Sequence, residues 1–268
     1  MLYYEKVMRD NTSDWVLFIH GLGGSSRTWK YQIEKFSKKY NLLLVDLAGH
    51  GNSKNVKSRS KYMPQDAARS IKEILLLEKI NKVHIVSLSL GTLVALEFIR
   101  QFPENVSSVI LAGGIVNLNF TRKIVFHMAD FITKYFPTEF AYNLFANIIM
   151  PSKKHKKSRE IFVREAKKLN EKMFNKWVKS VGASNDRLKK YIKILKDKKI
   201  PTLFISGKED YMFLSGIKEV CTKINGFKVN LLKNCGHVCS IEKSELFNNL
   251  SISFLEKIPK KKYIQVKI

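Results

Sequence analysis

Residues 84–92 read HIVSLSLGT. An apolar run stops at Ser89, with the small residues Ser87 and Gly91 two places away on either side, and the helical-looking TLVALEFIRQF (92–102) follows. The stretch has two readings. Serine and glycine are ordinary turn residues, so the strand could simply end there. Alternatively, S-x-S-x-G is a loosened G-x-S-x-G, the strand–turn–helix elbow that holds a serine hydroxyl out of the backbone as a nucleophile. The rest of the chain has to decide between them.

Working outward, similar apolar runs recur, each closed by a polar or glycine-rich turn: DWVLFIHGLGG (14–24), NLLLVDLAGHGNS (41–53), VSSVILAGG (106–114), IPTLFISGKED (200–210) and KVNLLKNCGH (228–237). Continuous apolarity suits strands buried on both faces, as in a parallel sheet covered by helices. Helical patterns lie between them: WKYQIEKFSKKY (29–40), PQDAARSIKEILLLEKI (64–80) with Pro64 at a first helical turn, and the final SELFNNLSISFLEKI (244–258). This alternation predicts an α/β fold, a doubly wound and mostly parallel sheet with right-handed crossovers. It breaks between about 117 and 200, where four helical segments are expected near 121–136, 138–149, 159–181 and 186–199. The predicted organisation is a core made of 1–116 and 201–268 with a helical cap inserted at 117–200.

Four features fall at strand ends, in one order: HGLGG (20–24), Ser89, SGKED (206–210) and NCGH (234–237). Functional groups gather beyond the carboxyl ends of the strands in open α/β sheets, so these distant residues can converge. A serine nucleophile needs a base, and the base needs a buried carboxylate to fix its tautomer and stabilise its charged form. Asp210 and His237 supply such groups. Glu209 is the rival carboxylate, and counting G-x-x-D from Gly207 favours Asp210. His20 and His50, in the two glycine turns, and Asp46 read as structural hydrogen-bonding groups. HGLGG matches neither nucleotide-binding glycine pattern.

With HGLGGSS, DLAGHGNS, SLSLGT, SGKED and CGH in place, the chain resembles the α/β-hydrolase superfamily, in its branch with a helical cap, over roughly residues 15–250. The resemblance implies Ser89 as nucleophile, His237 as general base and then acid, and Asp210 as the orienting carboxylate. It also implies an oxyanion hole formed by the backbone N–H groups of Leu22 and Leu90. Three departures stand out. Ser87 replaces the first glycine of the elbow, YMF follows Asp210 where many relatives carry a proline, and the segment before the first long strand is short. That last point leaves room for one leading strand, with the sheet edge otherwise open to a second subunit.

A serine at the elbow points to acyl chemistry, with an acyl-enzyme formed and then hydrolysed. The expected function is a carboxylesterase-like serine hydrolase of apolar esters, fatty-acyl or lysolipid esters among them. The alternatives are a C–C bond hydrolase, thioesterase or menaquinone-route lyase on the same triad, and a non-catalytic binding protein on the same fold. An acidic substrate would call for a cap arginine, with Arg122, Arg159, Arg164 and Arg187 as candidates. Phe126, Phe131, Phe145 and Trp177 are the expected lining of an acyl pocket. Lys123, His127, Asp130 and Lys134 form a polar stripe on the first cap segment. No cofactor or metal is expected.

The formal net charge is +25, carried by 39 lysines and 9 arginines. More than half of it sits in residues 153–199, with 18 Lys/Arg against 5 Asp/Glu. Phe162, Ala166, Leu169, Met173 and Trp177 fall on one face of the 159–181 segment, with basic residues toward the other. Reversible docking of the basic cap on an anionic membrane is therefore an expectation, set against a merely solvated basic surface. Nucleic acid is the poorer partner, because arginine is scarce and no binding module is recognisable. The N-terminus lacks a signal-peptide layout, and no apolar run reaches the ~18–20 residues of a membrane span. Cys221, Cys235 and Cys239 read as reduced thiols, so the expected setting is cytoplasmic, peripheral on the inner membrane face if docking holds. The expected assembly is a monomer or homodimer.

Overall fold

The computed structural model describes residues 1–259 except 12, 59, 118–127, 129–130, 133–134, 167 and 224–226. Strands β1 (Tyr4–Val7), β2 (Trp15–Ile19), β3 (Asn41–Val45), β4 (Val83–Leu88), β5 (Val106–Ala112), β6 (Thr202–Gly207) and β7 (Lys228–Leu232) form one sheet in the order β1-β3-β2-β4-β5-β6-β7. β1 runs antiparallel to β3, pairing Tyr4 with Val45 and Val7 with Leu42. The remaining pairings are parallel. Central β2 sets Leu17 between Leu43 of β3 and Ile85 of β4, and all three are fully buried. Burial on both faces is why these strands lack any polar alternation. The short leading segment supplies β1, so the chain itself pairs that side of β3.

Helices α1 (Lys30–Ser37), α2 (Met63–Leu77) and α3 (Leu90–Gln101) cross over between the first strands. α2 opens with Pro64 in its first turn and buries Ala67, Ile71 and Ile74 along one stripe. After β6 come α8 (Leu214–Lys223), then β7, α9 (Cys239–Glu242) and α10 (Ser244–Glu256). The side chain of Gln32 in α1 ties that layer together, its amide donating to Asn248 Oδ1 of α10 at 3.0 Å and to the Ser240 carbonyl at 2.8 Å.

Between β5 and β6 lie α4 (Thr138–Ile149), α5 (Lys156–Ala166), α6 (Glu171–Gly182) and α7 (Asn185–Asp197). The polar stripe Lys123, His127, Asp130 and Lys134 lies outside the described residues, as does much of the expected 121–136 helix. One expectation changes here. The 159–181 segment is two helices, because Asn170 breaks the run and its side-chain oxygen accepts the Met173 N–H at 3.2 Å, capping α6. Part of the apolar face of that segment packs inward. Leu169, Met173 and Trp177 are buried, and the Asn170 N–H donates to the Gly49 carbonyl at 3.1 Å. The last insertion helix, α7, packs on α3 of the core. Its Tyr191 hydroxyl donates to the fully buried carboxylate of Glu97, which Arg100 and Gln101 also bind. Among the described residues no helix is long and apolar enough to cross a membrane.

The turns after β2 and β3 interlock through histidines. The His20 Nδ1–H meets the Gly21 carbonyl at 2.8 Å while Nε2 accepts the Leu47 N–H at 3.0 Å, which fixes a neutral ring. The His50 ring stands 4.9 Å from that of His20 and 6.1 Å from Trp177, whose indole N–H donates to the Ala48 carbonyl at 2.9 Å. In β4, His84 bonds Ser108 Oγ at 2.8 Å. Burial pushes all three imidazoles below their ordinary value of 6.5. The unfolded chain therefore binds more protons than the folded one just below that value, and stability contributed by these neutral rings is present above it and lost as pH falls. The melting temperature should drop between about pH 7.5 and about pH 5.5. A flat profile over that range would contradict the burial of neutral histidines.

Candidate active site

Ser89 sits between β4 and α3 with φ 52° and ψ −117°, a backbone conformation that side-chain-bearing residues rarely adopt. Two neighbours make it possible. A Cβ on Gly91 would stand 2.3 Å from the Ile19 carbonyl oxygen and 2.6 Å from that of His20, so only glycine lets α3 begin against the end of β2. Ser87, where the elbow motif has glycine, is fully buried and donates its hydroxyl to the Ile110 carbonyl at 3.0 Å. The substitution thus adds a hydrogen bond to the neighbouring strand and does not crowd the turn.

His237, beyond β7, faces Ser89. Its Nε2 lies 2.8 Å from Ser89 Oγ, and its Nδ1 lies 2.9 Å from Asp210 Oδ2. Asp210 is fully buried beyond β6, and its other oxygen accepts the Phe213 N–H at 3.1 Å. That bond gives the YMF turn a role in holding the carboxylate. The Phe213 ring packs 5.1 Å from the imidazole of His237. With Asp210 accepting at Nδ1, the ring carries its proton there and leaves Nε2 free to receive the serine proton. Glu209 turns away from His237, its Oε2 3.0 Å from His155 Nε2. Asp46 accepts the N–H groups of Ser26 at 2.6 Å and Asn52 at 2.8 Å, anchoring its own turn.

Leu90 opens α3, so its N–H is one of the orphan donors of a helix start. Leu22 lies in the glycine turn whose Gly21 approaches Ser89. The Leu22 carbonyl accepts the Tyr142 hydroxyl of α4 at 2.6 Å, which fastens the inserted helices to this turn. Gly23, at φ +78°, leaves the space that hydroxyl fills, since a Cβ there would stand 1.7 Å from it.

A hollow of about 420 Å³ opens beside Ser89 and His237. Its walls are Leu22, Leu88, Val238 and Ile241 from the core, with Ile161 and Phe162 from α5, and Ser158, Glu165 and Thr28 add polar atoms. Of the four aromatics expected there, the described ones do not line it. Phe126 lies outside the described residues, and Phe131 is 61% exposed with its ring against Tyr135. Phe145 is half-buried against the core and Trp177 is buried over the 47–50 turn, so neither lines the hollow. Phe162, stacked on Tyr142 at 4.5 Å, takes that place. The helical period marks an apolar face without saying which part meets the core and which meets the cavity.

Three of the four candidate cap arginines are engaged elsewhere. Arg159 donates to the Met150 and Ser152 carbonyls, Arg164 pairs with Glu165, and Arg187 stacks over Tyr62. Arg122 lies outside the described residues. Among the described residues no lysine or arginine lines the hollow. No group of three His, Cys, Asp or Glu side chains among them could hold a metal ion. Cys235 and Cys239 flank His237 and are buried. Burial pushes the Cys235 thiol up to about 12 and that of Cys239 well above its ordinary value, so neither offers a thiolate nucleophile at neutral pH.

One residue was hidden inside the lysine cluster KKHKK (153–157). His155 is buried, with Nδ1 2.7 Å from Glu242 Oε2 and Nε2 3.0 Å from Glu209 Oε2. Carboxylate oxygens only accept, so both contacts are hydrogen bonds when each ring nitrogen carries a proton. Glu242 Oε2 also accepts the Gly236 N–H at 2.8 Å. His155 therefore joins the start of α5 to the residues next to both Asp210 and His237. A basic run in sequence gives no sign of this.

The chain belongs to the alpha/beta hydrolase family, since the family model for that fold matches residues 14–244. An uncharacterized protein of Mycobacterium tuberculosis is 37% identical over 117 residues, 43% of this chain. That match spans a third of the mycobacterial protein's length, 33%. A 2-hydroxy-6-oxononadienedioate/2-hydroxy-6-oxononatrienedioate hydrolase of Klebsiella pneumoniae is 25% identical, with 90% of this chain and 86% of that one covered. In fold, a carboxylesterase structure from Nitrososphaera gargenis superimposes with a TM-score of 0.81 at 19% identity, covering 96% of this chain and 94% of the other.

Replacing His155 by leucine removes the hydrogen-bonding partner that Glu209 and Glu242 share. Leaving such groups unpaired should cost about 1–3 kcal/mol, read as a lower urea midpoint. An unchanged midpoint would mean that the three side chains do not hold the inserted helices to the core.

Proposed function

We propose that the protein is a serine ester hydrolase that works through an acyl-enzyme on apolar acyl groups of short to medium length. The observation that carries this reading is the hydrogen-bonded chain Ser89–His237–Asp210 opening into a hollow with apolar walls. The inserted helices α4 and α5 act as the cap that closes it.

In this scheme Ser89 Oγ attacks the ester carbonyl as its proton passes to His237 Nε2. The charge that develops on the carbonyl oxygen falls to the N–H groups of Leu22 and Leu90, donors of a kind worth about 3–4 kcal/mol each. The tetrahedral species collapses, the acyl C–O bond breaks, and His237 returns the proton to the leaving alcohol. Water, deprotonated by His237, then attacks the acyl-serine, releasing the acid and restoring the Ser89 hydroxyl. Asp210 remains ionised and stabilises the imidazolium that forms in both halves.

Cleavage of a C–C bond by the same triad is the competing reading, favoured by the Klebsiella relative. The substrate in that relative's name is a dicarboxylate. A dianion calls for cations within the hollow, and the described walls supply a carboxylate, Glu165, and no cation. This favours an uncharged acyl group.

p-Nitrophenyl esters of rising chain length should be hydrolysed, with the highest kcat/KM at short to medium acyl chains. Ser89→Ala and His237→Ala should each lower kcat by about 10⁴-fold or more, since nucleophile and base act as a unit. Faster turnover of a vinylogous diketone dicarboxylate than of any ester would favour the C–C reading instead.

A further inference from the structure

A second hollow abuts the first. It is lined by Arg27, Lys30, Arg164 and Lys168, together with Tyr31 and four residues that also wall the Ser89 hollow: Thr28, Ile161, Glu165 and Ile241. The two spaces therefore meet at a shared rim, one side apolar and the other edged by four cations and a single carboxylate. Glu165 stands at that rim, its Oε2 3.0 Å from Lys168 Nζ and its Oε1 3.5 Å from Arg164 Nε. Its one charge cannot balance four cations. Arg27 and Lys30 have no ion-pair partner among the described residues, and the Lys30 ammonium lies 4.7 Å from the Tyr31 ring.

We propose that this groove is the leaving-group subsite and that it takes a phosphate-bearing alcohol or thiol. The inference rests on the ester-hydrolase reading and adds the chemistry of the half of the substrate that departs first. Three observations combine. The cations come from both sides of the rim, Arg27 and Lys30 from the segment following the glycine turn and Arg164 and Lys168 from the end of α5 and its following turn. Two of the chain's 9 arginines converge here, in a protein whose positive charge is overwhelmingly lysine. Arginine's planar fork matches the oxygens of a phosphate better than an ammonium does. Finally, the wall next to Ser89 carries no cation among the described residues, so the geometry separates an apolar acyl half from an anionic half across the rim.

The step balances without a further reactant. The acyl carbon forms a bond to Ser89 Oγ, and its bond to the leaving oxygen or sulfur breaks. The phosphate-bearing leaving group takes the proton held by His237, and water completes the hydrolysis.

The test compares three substrates with the same decanoyl chain: 1-decanoylglycerol, 1-decanoylglycerol 3-phosphate and decanoyl-CoA. The phosphorylated glycerol ester, the CoA thioester or both should exceed the neutral ester by about tenfold in kcat/KM, the size expected of one charge-assisted contact. Preference for the glycerol phosphate identifies a lipid-type leaving group, and preference for CoA a thiol carrier. The preference should shrink with added salt, and Arg27→Gln with Lys30→Gln should lower the ratio to near one. Ser89-dependent hydrolysis with no preference for either phosphorylated substrate overturns the groove's role and leaves the esterase reading standing. Absence of Ser89-dependent turnover for all three, and for p-nitrophenyl esters, overturns both.

Discussion

The constraint on which the site depends is the close approach of α3 to the end of β2. Gly91 lies so near the Ile19 and His20 carbonyls that no side chain fits between them. That contact fixes where the helix starts, and the helix start fixes Ser89 in its left-handed conformation with the hydroxyl toward His237. It also sets the Leu90 amide beside the glycine turn that carries the Leu22 amide. Ser89 and the two backbone amides proposed as oxyanion donors are thus arranged by one glycine contact. A residue held at φ 52° is strained, typically by about 1–3 kcal/mol, and such strain persists where packing on every side determines it. Here the packing is the parallel sheet, with β4 flanked by β2 and β5 and buried along its length.

Around that point, the two partners of Ser89 are held by different means. Asp210 is fixed by backbone, through the Phe213 N–H, in a fully buried setting. His237 is fixed by neighbours, with Phe213 on its ring and the Asp210 carboxylate at Nδ1. The inserted helices reach both loops through His155 and reach the glycine turn through Tyr142. The inserted helices and the loops carrying Asp210 and His237 are therefore mechanically joined, and α5 supplies at once apolar walls of the hollow and part of the basic groove beyond its rim.

Much of this was legible in the sequence because a parallel sheet places all its carboxyl ends on one side. Ser89, Asp210 and His237 each follow an apolar run, so their convergence needed only the strand order. Single-residue detail on the core was legible for the same reason, with His20, His50 and Asp46 engaged in their turns. The inserted region was not. Apolar spacing continues across Leu169 from Phe162 to Trp177 as though one helix spanned them, although Asn170 followed by Glu171 is a helix-start signal inside that run. Periodicity also cannot distinguish Phe162, which meets the cavity, from Trp177, which requires an acceptor for its indole N–H and finds it at Ala48. His155 was masked by the lysines around it, and the packing of α7 on α3 depends on Glu97 and Tyr191, which lie 94 residues apart.

The central claim is covalent catalysis by Ser89, and trapping the intermediate tests it most directly. The enzyme would be mixed with p-nitrophenyl butyrate, quenched in acid during turnover, digested and mapped by mass spectrometry. The account predicts a butyryl adduct on the peptide containing Ser89, absent without substrate and absent in Ser89→Ala. An adduct on another residue, or turnover with no adduct while the p-nitrophenolate burst is complete, would contradict it.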